Sequence, residues 1–191
     1  LRDIVEEKAD IVTSGDASSL AVMTALSEKD LIGRLYMISP QDPDNMREYP
    51  DFINRLKFYM MCTPLTGTFS YILCNTKLSF IKKYREEYFY NGSLIRTEDI
   101  RAEIESAYRG GTDSRFAGAS VFGKYTNMNV IHGLKGLTKR LCLIYGKNDK
   151  GAEHNQVFYT GLVPSAEVHY INNSMKRPHM EHAQEVASII K

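Results

Sequence analysis

Three short segments carry side chains that could do chemistry together. Ser14-Gly15-Asp16-Ala17-Ser18-Ser19 follows an apolar run and precedes a helical pattern. Small residues let the chain turn sharply from strand to helix. The apex of such a turn stands above the sheet edge, beside a helix N-terminus that favours developing negative charge. Asp16 or Ser18 there could act as a nucleophile. Tyr145-Gly146-Lys147-Asn148-Asp149 follows a second apolar run, which puts Asp149 at the same edge, where a carboxylate could orient a histidine. Asn173 to His182 places His179 and His182 just before the C-terminal helix, and His179 could serve as the base. Each segment also has a plain structural account: a tight crossover, a turn or N-cap aspartate, and a helix-start or packing histidine.

The elements that must position these residues are legible from pattern. Ala9–Thr13, Arg34–Ser39 and Arg140–Tyr145 are near-continuously apolar over four to six residues, which suits strands buried on both faces of a parallel sheet. Ala166–Ile171 alternates and suits an edge strand. Helical patterns cover Ser18–Leu26, Glu153–Leu162 and Glu181–Ile190. Strand, helix, strand in succession implies right-handed crossovers and an α/β architecture with a mostly parallel sheet. Residues 42–130 show no strand signal. They hold amphipathic helical stretches at Asp51–Met61, Leu65–Cys74, Lys77–Tyr88, Glu98–Tyr108 and Arg115–Met128. Thr97-Glu98-Asp99 supplies a cap and an acidic first turn. Eight of the twelve tyrosines lie in this stretch. It is expected to be an inserted α-helical lid subdomain, with the α/β core formed by residues 1–41 and 131–191.

Composition narrows the class. Apolar residues are 43% and charged residues 25% of the 191, the profile of an ordinary globular domain. A net charge of +1 gives no electrostatic case for nucleic acid. No run approaches the ~20 apolar residues that span a bilayer. The first residues are charged and do not form a signal peptide. Three cysteines without a CxxC pair suit a reducing, cytoplasmic setting. Asp149, Glu181 and the histidines have no metal-ligand spacing, so no metal is expected. No phosphate or dinucleotide loop is present, so no cofactor is expected either. Asn91-Gly92-Ser93 has the form of a glycosylation sequon and is expected to be only a turn. Gly110-Gly111 marks a hinge between lid helices.

The order of these parts, namely small-residue elbow, helical insertion, post-strand Asp, His-bearing loop and terminal helix, resembles the α/β-hydrolase superfamily, whose triad runs nucleophile, acid, histidine. Leu141 to Asp149 resembles its acid-bearing strand and loop. Leu162-Val163-Pro164-Ser165-Ala166-Glu167-Val168 resembles the entry to its last strand, and Pro178-His179-Met180-Glu181-His182-Ala183-Gln184-Glu185-Val186 its last helix start. The likeness implies a partial α/β-hydrolase fold, the second part of it, and a hydrolase acting on a small ester, thioester or similar apolar substrate. Met60, Met61, Met128 and the lid tyrosines would line the pocket.

Three departures bear on that expectation. The elbow does not contain G-x-S-x-G. One register puts Asp16 in the nucleophile slot, as in the dehalogenase and epoxide-hydrolase branches, and a shift of one or two residues offers Gly15 or Ser18 instead. Lys176 occupies the usual histidine slot, and lysine shuttles protons near neutral pH only when burial lowers its pKa by several units. The early strands and the loop supplying the second oxyanion donor are missing, since only a short helix, Arg2–Lys8, precedes the elbow. The chain is therefore expected to be the C-terminal part of a longer protein, or one that completes its sheet by pairing with another copy. The second functional expectation is a catalytically inactive, hydrolase-like protein with a binding or structural role.

Overall fold

Side-chain alternation and chain reversals build a parallel sheet here. In a computed structural model, which describes residues 7–190, the elements run β1 (Ala9–Gly15), α1 (Ala17–Ser27), β2 (Ile32–Pro40), α2 (Pro43–Arg47), α3 (Phe52–Cys62), α4 (Thr66–Cys74), α5 (Lys77–Lys83), α6 (Thr97–Tyr108), α7 (Ser114–Phe122), α8 (Ile131–Lys135), β3 (Arg140–Gly146), α9 (Ala152–Leu162), β4 (Glu167–Ile171), α10 (Pro178–Glu181) and α11 (Ala183–Ile189). The expected helix over Arg2–Lys8 falls largely outside the described residues.

The chain divides into two compact units. One comprises residues up to Met46, Glu87–Asn91 and the stretch from Met128 onward; the other comprises Arg47–Glu86 and Gly92–Asn127. In the first unit the four strands lie in the order β1-β2-β3-β4, all parallel. Leu35 pairs with Ile11 and Leu141, Ile38 with Ser14 and Ile144, and Gly146 with Ile171. The C-terminal ends of all four strands therefore share one rim.

The central strands are buried on both sides because period-two alternation sends half of their apolar residues each way. Leu35, Met37, Leu141, Leu143 and Tyr145 pack with Ala21, Val22 and Ala25 of α1, Leu134 of α8 and Tyr159 of α9. Tyr36, Ile38, Cys142, Ile144 and Ile171 pack on the opposite face with Val186 of α11. β1 departs from the expectation of two buried faces. Among the described residues it is an edge strand whose residues alternate between half-buried and exposed, and Val12 is 45% exposed.

The second unit is helical. Asp51 caps α3 through a 2.8 Å bond from the Asn54 N–H, and Thr76 caps α5 through one from the Ser79 N–H. Tyr71 of α4 donates to the Ala107 carbonyl of α6 at 2.6 Å, and Tyr84 donates to Glu103 at 2.9 Å. The expected Lys77–Tyr88 helix widens part-way: α5 ends at Lys83 and a π-turn covers Tyr84–Tyr88. The cap of α6 falls one residue earlier than expected, at Arg96, whose guanidinium grips Asp99 with two bonds of 2.9 and 2.6 Å. α7 stops at Phe122, short of the expected Met128, with Gly123 at its C-cap at φ −80° and ψ 0°. Among the described residues, no helix is long and apolar enough to cross a membrane.

Candidate functional site

The elbow is the place to begin, because its backbone decides which residue it presents. Gly15 ends β1 with φ +60°, and Asp16 is already in the right-handed helical region. A strained strand-to-helix turn is how this architecture exposes a nucleophile. Here the residue carrying the left-handed conformation is glycine, the one type that adopts it without strain. A Cβ at Gly15 would meet nothing within 4 Å, so the space above the turn is open. Asp16 is exposed beside it.

Ser18 points the other way. It is 1% exposed, and its Oγ accepts the Gln41 N–H at 3.0 Å. Ser19 Oγ donates to Gln41 Oε1 at 2.5 Å, and Tyr159 donates to the Gln41 carbonyl at 3.0 Å. Gln41 thus gathers the first turn of α1, the end of β2 and α9 into one buried polar network. Burial raises the Tyr159 phenol well above its ordinary range. The hydrogen bond with Ser18 pulls it down, and the carboxylates of Asp42 and Asp16 push it up further. Tyr159 is therefore a permanent donor at neutral pH. Nothing in local sequence marks Gln41 or Tyr159; they are brought together across 118 residues.

Asp149 lies past the end of β3 and is largely buried, with Oδ1 accepting the Gly151 N–H at 3.1 Å. The loop after β4 rests directly on this strand end. Asn148 N–H donates to Ser174 O at 2.9 Å and Lys147 N–H to Ile171 O at 2.9 Å. A Cβ at Gly146 would stand 2.0 Å from the Met175 carbonyl, so only glycine permits the contact. Asp149 and Lys176 are therefore carried by adjoining loops, and Lys176 is exposed.

Glu181 holds the His-bearing loop in shape. One carboxylate oxygen accepts the N–H groups of Tyr90 and Asn91 at 2.9 and 3.1 Å. The other accepts Ser174 Oγ and Met175 N–H at 2.9 and 3.0 Å. Arg177 N–H donates to Tyr88 O at 3.2 Å, and the Arg177 guanidinium lies 4.2 Å from the Tyr88 ring centroid. These bonds explain why Glu87–Asn91, although within the stretch expected as an insertion, belongs to the first unit. His182 ends α10 and donates through Nε2 to Asn173 O at 3.1 Å.

His179 is partly buried, and its Nδ1 makes no hydrogen bond. Burial, and to a lesser degree the positive charge of Arg177, lower its pKa, which leaves it neutral at physiological pH. No hydrogen bond joins Asp16, Ser18, Asp149 and His179 to one another. Other buried polar atoms at the rim also lack partners: Ser39 Oγ and Tyr145 Oη, each in the penultimate residue of its strand, and Asn155 Oδ1 in α9. Ser39 also has φ +41°, a left-handed conformation that a serine adopts under strain. Among the described residues, no group of three metal-ligating side chains gathers at this rim.

A parallel sheet with an elbow at the end of β1, a buried Asp after β3 and a loop and helix after β4 is the second part of the α/β-hydrolase fold. No protein-family profile matches the chain, and no curated protein matches it. Solved structures do. It is similar to a meta-cleavage product hydrolase from Pseudomonas fluorescens IP01, with TM-score 0.69 and 18% identity over 98% of this chain and 65% of that one. It is also similar to 2-hydroxy-6-oxo-6-phenylhexa-2,4-dienoate hydrolase from Rhodococcus sp. strain RHA1, with TM-score 0.67 and 12% identity over 96% of this chain and 63% of that one. The likeness to MenH from S. aureus has TM-score 0.62 and 14% identity, over 100% of this chain and 69% of that one. The chain spans 65% and 63% of the length of the first two of these enzymes.

Proposed function

We propose that this chain is a hydrolase-fold protein that binds a small, largely apolar molecule at the rim without cleaving it. The observation that carries the reading is Gly15: the one elbow position with the conformation used to present a nucleophile has no side chain to present. Two further features support it. Lys176 takes the slot where the hydrolase pattern has histidine, and His179 makes no bond to Asp149. The unpartnered buried atoms of Ser39, Tyr145, Asn155 and His179 support binding, since such groups call for a ligand or ordered water. The similar hydrolases act on small molecules, one of them a phenylhexadienoate, which favours a ligand with an apolar body and a polar end.

A second reading retains catalysis. The exposed Asp16 stands at the start of α1, and His179 is neutral and so able to accept a proton. Hydrolysis of a short-chain nitrophenyl ester separates the two. Wild-type turnover equal to the buffer background supports the binding reading. Turnover that disappears in Asp16→Asn and also in His179→Ala establishes the catalytic one.

A further inference from the structure

Away from the rim, three side chains with metal-binding chemistry meet on the sheet face covered by α11. β3 and β4 run parallel with Cys142 opposite Glu167 and Ile144 opposite His169. Alternation puts Cys142, Glu167 and His169 on the same face. Their ligand atoms, one thiol sulfur, one carboxylate oxygen and one imidazole nitrogen, all lie within 4.8 Å of one another. Cys142 is 6% exposed among Tyr36, Ile38, Ile144 and Ile171. Glu167 is exposed and His169 half-buried, which leaves an ion a path from solvent. Sequence spacing hides this set, because Cys142 precedes Glu167-Val168-His169 by a whole helix and two loops.

We propose that Cys142, Glu167 and His169 form a binding site for a divalent ion of the zinc class, with three protein ligands and a fourth position open to water or an exogenous ligand. Thiolate, imidazole and carboxylate together are a donor set that Zn2+ accepts. Bond lengths of about 2.3 Å to sulfur and 2.0–2.2 Å to nitrogen or oxygen put tetrahedral ligands about 3.5 Å apart. Closing from the present separations takes a shift of about 1 Å, within reach of the exposed Glu167 side chain.

Metal binding requires the thiolate, so the Cys142 thiol must give up its proton. A bound ion replaces that proton, so uptake of one ion forms the metal–sulfur bond and releases one H+ to solvent. Arg34, which donates to Tyr36 Oη at 3.3 Å, is the cation already near Cys142 and Glu167. An incoming ion competes with it for the carboxylate.

The test uses the full chain carrying Cys62→Ser and Cys74→Ser, so that Cys142 is the only thiol. Co2+ is added under reducing conditions and the thiolate-to-cobalt charge-transfer band is followed. The site predicts one equivalent bound, with the band displaced by Zn2+. Glu167→Gln and His169→Gln, both on a partly exposed edge strand, each weaken Co2+ binding at least about tenfold, since even outer-shell partners are worth 10–100-fold. Their circular dichroism matches the parent, which separates lost ligation from lost folding. Absence of the band, or a Co2+ affinity unchanged in both variants, overturns the proposal.

Discussion

Glu181→Gln probes the carboxylate that shapes the loop after β4. The carboxylate accepts four hydrogen bonds, two on each oxygen. Glutamine keeps one accepting oxygen and replaces the other with a nitrogen that can only donate. Whichever way the amide turns, two donors lose their acceptor and face an N–H. The favoured orientation aims the amide nitrogen at Tyr90 and Asn91, whose surroundings are exposed. Hydrogen bonds to a charged group are worth about 1.5–3 kcal/mol each. With the exposed pair discounted for water, the substitution costs about 2–3 kcal/mol. For a chain of this size each kcal/mol moves Tm by about 2–4 °C, so Tm should fall by about 5–10 °C in calorimetry. Glu185→Gln, on the exposed side of α11, is the control and should stay within about 0.5 kcal/mol of wild type. A Glu181→Gln protein as stable as that control would refute the view that this carboxylate staples the loop after β4 to Glu87–Asn91.

Other outcomes follow from the same geometry. Ser18→Ala strands the buried Gln41 N–H and should cost about 1–3 kcal/mol in urea unfolding; a neutral effect would mean that Ser18 is not part of the buried network. His179 titrates below its ordinary 6.5 because burial disfavours the imidazolium. On acidification the unfolded chain takes up that proton first, so the stability tied to neutral His179 is complete above pH 6.5 and is lost as pH falls through the window below it. His179→Gln should flatten the acid-side loss of stability in that window. An NMR-measured imidazole pKa at or above 6.5 would contradict the assigned environment.

Much of the fold was legible in the residues themselves. The apolar runs at Ile11, Leu35 and Leu141 became three neighbouring parallel strands, and the alternating run at Val168 became an edge. Periodicity is a local signal and survives folding. Neighbour effects were not legible. The run at Ile11–Thr13 looks fit for burial on both faces, yet β1 has no strand on one side among the described residues, and Val12 faces solvent. His182 separates α10 from α11 with a non-helical backbone at φ −133° and ψ 56°, and its ring reaches back to the Asn173 carbonyl. At the rim, pattern alone left the elbow register open among Asp16, Gly15 and Ser18. Backbone conformation distinguishes them, since only Gly15 carries the positive φ. Gln41, Tyr159 and the four-bond role of Glu181 depend in part on contacts across 90, 91 and 118 residues, which no short motif encodes. The same holds for the pairing of Cys142 with Glu167.

The absence of a nucleophile at the elbow is tested most directly by intact-mass spectrometry after exposure to nitrophenyl butyrate. No acyl adduct is expected on the wild-type chain. A wild-type adduct mapping to Asp16 or Ser18 would contradict it.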